Sequence, residues 1–140
     1  MDTSPVLGDL DGDGNLDIVA GTTAGILVAI NSNAEELWRQ EVYGTICVPP
    51  SIGDVAPSNG NEVVVMSRQG QIFCYTGYSG ELLWQTAMPD AVYWGETALA
   101  LADINGDGSL EIVTGDRSGN VICLNGAGET LWLYKGQHGV

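Results

Sequence analysis

Two short stretches concentrate the side-chain oxygens of this chain. Asp9, Asp11, Asp13, Asn15 and Asp17 occupy alternate positions of one nine-residue segment. Asp103, Asn105, Asp107, Ser109 and Glu111 occupy the same positions of a second. Carboxylates packed this closely repel one another, so the segments must either stay open to water or enclose a cation. Hard cations such as Ca²⁺ take about six to eight oxygen ligands, and alternate residues of a tightly curled loop can turn their oxygens inward. Position six is Gly14 in one segment and Gly108 in the other, which permits the sharp turn. Position seven usually contributes its backbone carbonyl, so Asn15 and Ser109 need not be acidic.

The segments are not EF-hands. Position twelve would have to be Glu and is instead Ala20 or Thr114, and the residues that follow read as strands. Asp-Gly hairpin turns bathed in water are the competing reading. The full five-position spacing, repeated at the same place in a larger repeat, favours metal loops. Ca²⁺ is preferred to Zn²⁺ because no Cys or His lies near either segment. It is preferred to Mg²⁺, which keeps waters rather than fill an all-protein cage. About two Ca²⁺ are therefore expected. A third copy, Asp54 to Glu62, lacks acids at positions three and five. It is expected to bind no ion and to hold its turn through Pro57, Asn59 and Gly60.

The elements that position these loops recur. Asp9, Asp54 and Asp103 each follow a short apolar run. Asp17, Glu62 and Glu111 each lead into another, and Gly25, Gly70 and Gly119 open a third. The pairs Leu37-Trp38, Leu83-Trp84 and Leu131-Trp132 mark a fourth. In the first repeat the four runs are Pro5 to Leu10, Leu16 to Gly21, Ile26 to Asn31 and Glu36 to Val42. None has helical length or period. Four antiparallel strands per repeat of this size are the pattern of a β-propeller blade. The expected architecture is all-β: three four-stranded antiparallel blades over residues 3–45, 46–94 and 95–137. A ring needs more blades than three, so this one is incomplete. The third run of each repeat is apolar almost throughout, as expected of a strand buried on both faces. Ala29, Cys74 and Cys123 align as small core residues beneath a neighbouring blade, and the Leu-Trp pairs read as packing anchors.

Composition bounds the partners. A formal charge of −14 with four Lys plus Arg disfavours nucleic acid and anionic membrane surfaces. No apolar run reaches the roughly 18 residues of a membrane span, so no membrane insertion is expected. Three cysteines without CxxC spacing do not suggest a disulfide framework. Met1 is not followed by a secretory leader. A cytosolic chain and a trimmed piece of a longer one both remain open.

The stretches LGDLDGDGNLDIVAG and LADINGDGSLEIVTG resemble the FG-GAP/VCBS class of β-propeller repeats, found in integrin α-subunit heads and in many bacterial and archaeal surface proteins. The Phe-Gly opening of the integrin form is absent, and Gly21 is followed by Thr22-Thr23 rather than Ala-Pro. The later stretch GNVICLNGAGETLW is similar to PQQ-type propeller blades. The resemblance implies Ca²⁺ ligation at the ten loop positions named above and an extracellular or cell-surface setting.

The leading functional expectation is a calcium-stabilised extracellular structural or interaction module. Its blade stacking would be completed by self-association, as a ring or filament, or by neighbouring blades of a longer chain. A protein or glycan ligand is possible on such a module. One alternative is a propeller segment of a polysaccharide-degrading enzyme. Another is a carbohydrate-binding module using Trp84, Tyr93 and Trp94. No catalytic residue is assigned: His138 stands alone near the C-terminus, and no Ser-His-Asp or Cys-His grouping is present.

Overall fold

The computed structural model describes residues 3–89 and 97–136. Among these residues twelve strands form three four-stranded sheets, each an antiparallel meander in chain order. The first sheet comprises β1 (Val6–Gly8), β2 (Asp17–Gly21), β3 (Ile26–Ile30) and β4 (Glu36–Glu41). The second comprises β5 (Ser51–Gly53), β6 (Glu62–Met66), β7 (Gln71–Thr76) and β8 (Leu82–Ala87). The third comprises β9 (Ala100–Ala102), β10 (Glu111–Gly115), β11 (Val121–Leu124) and β12 (Thr130–Tyr134). The all-β architecture of three unclosed blades is therefore as expected. Among the described residues no helix is long and apolar enough to cross a membrane.

Register explains how the blades stack. Side chains alternate between the two faces of a strand. In the middle blade Val63, Val65, Phe73 and Tyr75 join a cluster with Val19, Leu27 and Ala29 of the first blade. Val64, Met66, Ile72 and Cys74 face the other way and join Ile112, Ile122 and Leu124 of the third. Strand β6 is accordingly buried at every position. Strand β3 was expected to be buried on both faces, but it alternates between half-buried and buried, because only one of its faces meets a blade. The positions Ala29, Cys74 and Cys123 are all fully buried, and a register shift follows each of them.

A tryptophan lock joins consecutive blades. Trp38 pairs with Ala29, and its indole N–H donates to the Gly77 carbonyl of the second blade at 2.7 Å. Trp84 pairs with Cys74 and donates to the Gly126 carbonyl of the third blade at 2.8 Å. Each ring packs closely against a glycine in the receiving turn. A Cβ on Gly80 would sit 2.5 Å from Trp38 Cδ2, and one on Gly128 would sit 2.6 Å from Trp84 Cε3. Both glycines also have positive φ, 69° and 80°, where a side chain is strained. Leu83 and Leu131, expected as packing anchors beside the tryptophans, are exposed. They fall on the outermost strands.

Two outcomes follow from this packing. Gly80→Ala should lower stability by about 1–3 kcal/mol through overpacking against Trp38, read as a reduced urea midpoint; an unchanged midpoint would contradict the lock. Burial, aided by the Glu62 carboxylate, pushes the Cys74 thiol up to about 12. Alkylation of the folded protein at pH 8 should label half-buried Cys47 and spare Cys74, as mass spectrometry of the digested protein would report.

Candidate metal centre

Each acidic segment joins the first strand of its blade to the second. The last acid of each pairs across that hairpin, Gly8 with Asp17, Gly53 with Glu62 and Ala102 with Glu111. All three acids are buried. Each reaches back to the start of its own loop with one carboxylate oxygen. Asp17 Oδ2 accepts the Leu10 N–H at 2.7 Å. Glu62 Oε2 accepts the N–H groups of Val55 and Ala56 at 2.8 and 2.9 Å. Glu111 Oε2 accepts the Ile104 N–H at 2.8 Å.

The three blades differ in what meets the second oxygen. In the middle blade Glu62 Oε1 accepts the Ser58 hydroxyl. In the third the Asn105 amide approaches Glu111 Oε1 at 3.4 Å, a long hydrogen bond. In the first, Asp17 Oδ1 is buried with no hydrogen-bond partner. A buried carboxylate oxygen without a donor costs about 1–3 kcal/mol or more. In the same loop Asp9, Asp11 and Asp17 come together, each placing one carboxylate oxygen within 4.8 Å of the others. A carboxylate cluster with one buried and two half-buried members fits a hard cation by its donor chemistry.

The rest of each loop is curled by its own backbone. Asp9 accepts the N–H groups of Gly12 and Gly14 at 2.8 and 3.0 Å, and Asp103 those of Gly106 and Gly108 at 2.7 and 2.9 Å. Gly14 and Gly108 have φ of 87° and 90°, as the expected turn at position six requires. Asp13 lies outside the carboxylate trio, and Asn15 and Ser109 are exposed, donating their N–H groups to Asp13 and Asp107. Asn105 Oδ1 accepts the Asp107 N–H at 2.9 Å. The Asp13 N–H donated to Asp11 acts to lower the Asp11 pKa. Desolvation and the charges of Asp13 and Asp17 outweigh it, so Asp11 titrates above the usual carboxylate value. Asp13 titrates below it, chiefly because the Asn15 N–H donates to it.

Two contributors escaped the sequence reading. Ser58 sits at position five of the middle segment, where the other segments carry Asp, and its hydroxyl supplies the donor that Glu62 needs. A polar residue at that register position was the available signal. Asn61 donates across the blade boundary to the Asp9 carbonyl at 3.0 Å, a contact no local pattern announces. Of the aromatics considered for a glycan platform, Trp84 is engaged in the lock, while Tyr93 and Trp94 lie outside the described residues, as does His138.

Three blades with a shared hairpin-loop architecture and interblade locks define a segment of a β-propeller. Residues 62–139 match the model of the lambda-carrageenase beta-propeller domain, and the chain belongs to that family. It is 31% identical over 77 residues to the lambda-carrageenases of a Pseudoalteromonas species and of Pseudoalteromonas carrageenovora, covering 55% of this chain and 8% of each relative. It is also 31% identical over 121 residues to the outer membrane protein assembly factor BamB of Burkholderia pseudomallei, covering 86% of this chain and 29% of that protein. Among solved structures, BamB from Moraxella catarrhalis superposes with a TM-score of 0.62 at 22% identity, over 90% of this chain and 35% of its own. BBS1N from its complex with ARL6DN superposes with a TM-score of 0.68 at 15% identity, over 94% and 42%. At those identities the structural likeness concerns the fold alone. The family match begins at Glu62, so the first acidic loop lies outside it.

Ser58→Ala should destabilise the protein by about 1–3 kcal/mol, because buried Glu62 loses its hydroxyl donor. Urea denaturation should show this with calcium or with chelator alike. A loss that calcium repairs would mean that the middle loop also takes an ion.

Proposed function

We propose that this chain is a calcium-braced structural segment of a β-propeller in a longer, exported protein that acts on polysaccharide. The observations that carry the calcium reading are the partnerless, buried Asp17 Oδ1 and the gathering of the Asp9, Asp11 and Asp17 carboxylates. Family membership supports the polysaccharide context, and the small share of each carrageenase that the chain spans supports a part rather than a whole. In this reading the first loop is an FG-GAP/VCBS-type site held by Asp9, Asp11 and Asp17, with Asp13 and the Asn15 carbonyl completing the set. The second loop, Asp103 to Glu111, takes a second ion more weakly, since Asn105 removes one charge and already approaches Glu111. Two divalent ions would lower the formal charge from −14 to about −10. The bound cation satisfies the buried oxygen and cancels repulsion within the loop, which makes its role structural. An acidic surface of this size repels an acidic polymer, so this segment supports the polysaccharide-binding part rather than forming it.

The second reading is an interaction scaffold, favoured by the likeness to BamB, which extends over 86% of the chain against 55% for the carrageenases. Both readings keep catalysis out of this segment. The isolated chain should leave the viscosity of a λ-carrageenan solution unchanged; cleavage by the chain alone would overturn the structural role.

Calorimetry tests the cation directly. Wild-type protein should take up about two Ca²⁺, the tighter one in the first loop, and its melting temperature should fall in EDTA. Asp17→Asn should abolish the tighter uptake. In EDTA the same variant should be more stable than wild type by about 1–3 kcal/mol, because an amide replaces the partnerless oxygen and can donate to Asp9 or Asp11. No Ca²⁺ uptake, with a melting temperature indifferent to EDTA, would overturn the proposal.

A further inference from the structure

The lock that joins the first blade to the second, and the second to the third, is half-built a third time. Trp132 pairs with Cys123 as Trp38 pairs with Ala29, yet it is 44% exposed where Trp38 is 7% exposed. Ile104 follows the first acid of its loop as Leu10 and Val55 do. It is 50% exposed, whereas Leu10 and Val55 are 2% and 5% exposed beneath the next blade. The internal repeat therefore states what the third blade's open face is shaped to receive: a turn that offers a carbonyl to Trp132 and a glycine under its ring.

The first blade of a second copy is the obvious candidate, and it has the wrong residues. Its turn at Asn31–Glu35 has the same backbone as the receiving turn at Asn125–Glu129. Asn31 N–H donates to the Glu35 carbonyl and Asn125 N–H to that of Glu129, both at 2.9 Å. Ala34 N–H and Gly128 N–H each donate back at 3.0 Å. In this superposable turn Ser32 and Ala34 replace Gly126 and Gly128. A Cβ at Gly126 would overlap the Val55 carbonyl oxygen, and one at Gly128 would sit 2.6 Å from the Trp84 ring.

A third mismatch lies on the innermost strands. Gly8 and Gly53 leave space for Ile52 and Leu101 of the following blade, where an added Cβ would come within 2.8 and 2.9 Å. The third blade has Ala102 at that place, and the first blade of a second copy would present Leu7 to it. Three positions, two in one turn and one on an innermost strand, thus disfavour closure of this chain on its own kind.

We infer that the open face of the third blade, centred on Trp132 and Ile104, is a docking surface for a propeller blade other than this chain's own first blade. That blade carries glycines in its receiving turn and a side chain smaller than leucine opposite Ala102. The inference deepens the reading of the chain as part of a larger propeller, and it is independent of calcium and of polysaccharide.

Removing the three mismatches should convert the first blade into an acceptable partner. Ser32→Gly, Ala34→Gly and Ala102→Gly are combined in the full chain, and self-association is measured by sedimentation equilibrium. The triple variant should associate at least tenfold more tightly than wild type, and adding Trp132→Ala should reverse the gain. In the unaltered background, Trp132→Ala should leave association unchanged within a factor of two. A triple variant that associates no more tightly than wild type, or a gain that survives loss of Trp132, overturns the inference. So does a wild-type assembly that Trp132→Ala dissolves. Association is read separately from calcium uptake, so failure here leaves the calcium proposal standing, and failure there leaves this one.

Discussion

Strand β6 sends Val63 and Val65 toward the first blade and Val64 and Met66 toward the third. A sheet apolar on both faces has no stable position at a water surface, and only a sandwich between like sheets removes all that apolar area from water. The rest of the molecule follows from this constraint. Small residues at Ala29 and Cys74 let the next sheet approach, Gly8 and Gly53 let the inner strands converge, and the tryptophans fasten each blade to the turn of the next. The same constraint leaves the two terminal faces unsatisfied among the described residues.

The acidic loops solve a separate problem with one shared device. Each blade buries a carboxylate at the start of its second strand and uses it to tether the loop that enters the blade. A buried carboxylate needs donors for both oxygens. Backbone N–H groups serve one oxygen every time, through Leu10, through Val55 and Ala56, or through Ile104. For the other oxygen the blades diverge: a hydroxyl in the middle blade, an amide in the third and no protein donor in the first. In the proposed reading a cation would meet in the first blade the demand that a serine hydroxyl meets in the middle one. The middle blade therefore keeps its buried Glu62 without acids at positions three and five of its loop.

The blade architecture was legible because period-two apolar runs, turn glycines and the Leu-Trp pairs recur at matching offsets. Strand starts were less so: Pro5 and Leu10 read as part of the first strand, but only Val6–Gly8 pair, because Asp9 leaves the ladder to curl the loop. The spacing picked out the oxygen-bearing loop residues, of which Asp9, Asp11 and Asp17 come together while Asp13, identical in type to Asp11, stands outside the carboxylate trio. Each accepts the N–H two residues further on, so local hydrogen bonding does not distinguish them, and no spacing rule encodes the difference. The receiving glycines Gly80 and Gly128 went unseen because their partners, Trp38 and Trp84, lie on the preceding blade, which one-dimensional patterns do not hold. Ser58 serves Glu62 only four residues on, and its polar type at position five was the local sign of that role.

The central claim is that the partnerless oxygen of Asp17 marks a calcium site that the middle blade has replaced with a hydroxyl. Anomalous diffraction from crystals grown in Ca²⁺ tests it most directly. The account predicts an anomalous peak enclosed by Asp9, Asp11 and Asp17, with Asp17 Oδ1 at about 2.3–2.6 Å, and none beside Glu62. A first loop without a peak, or a peak at Glu62 displacing the Ser58 hydroxyl, would contradict it.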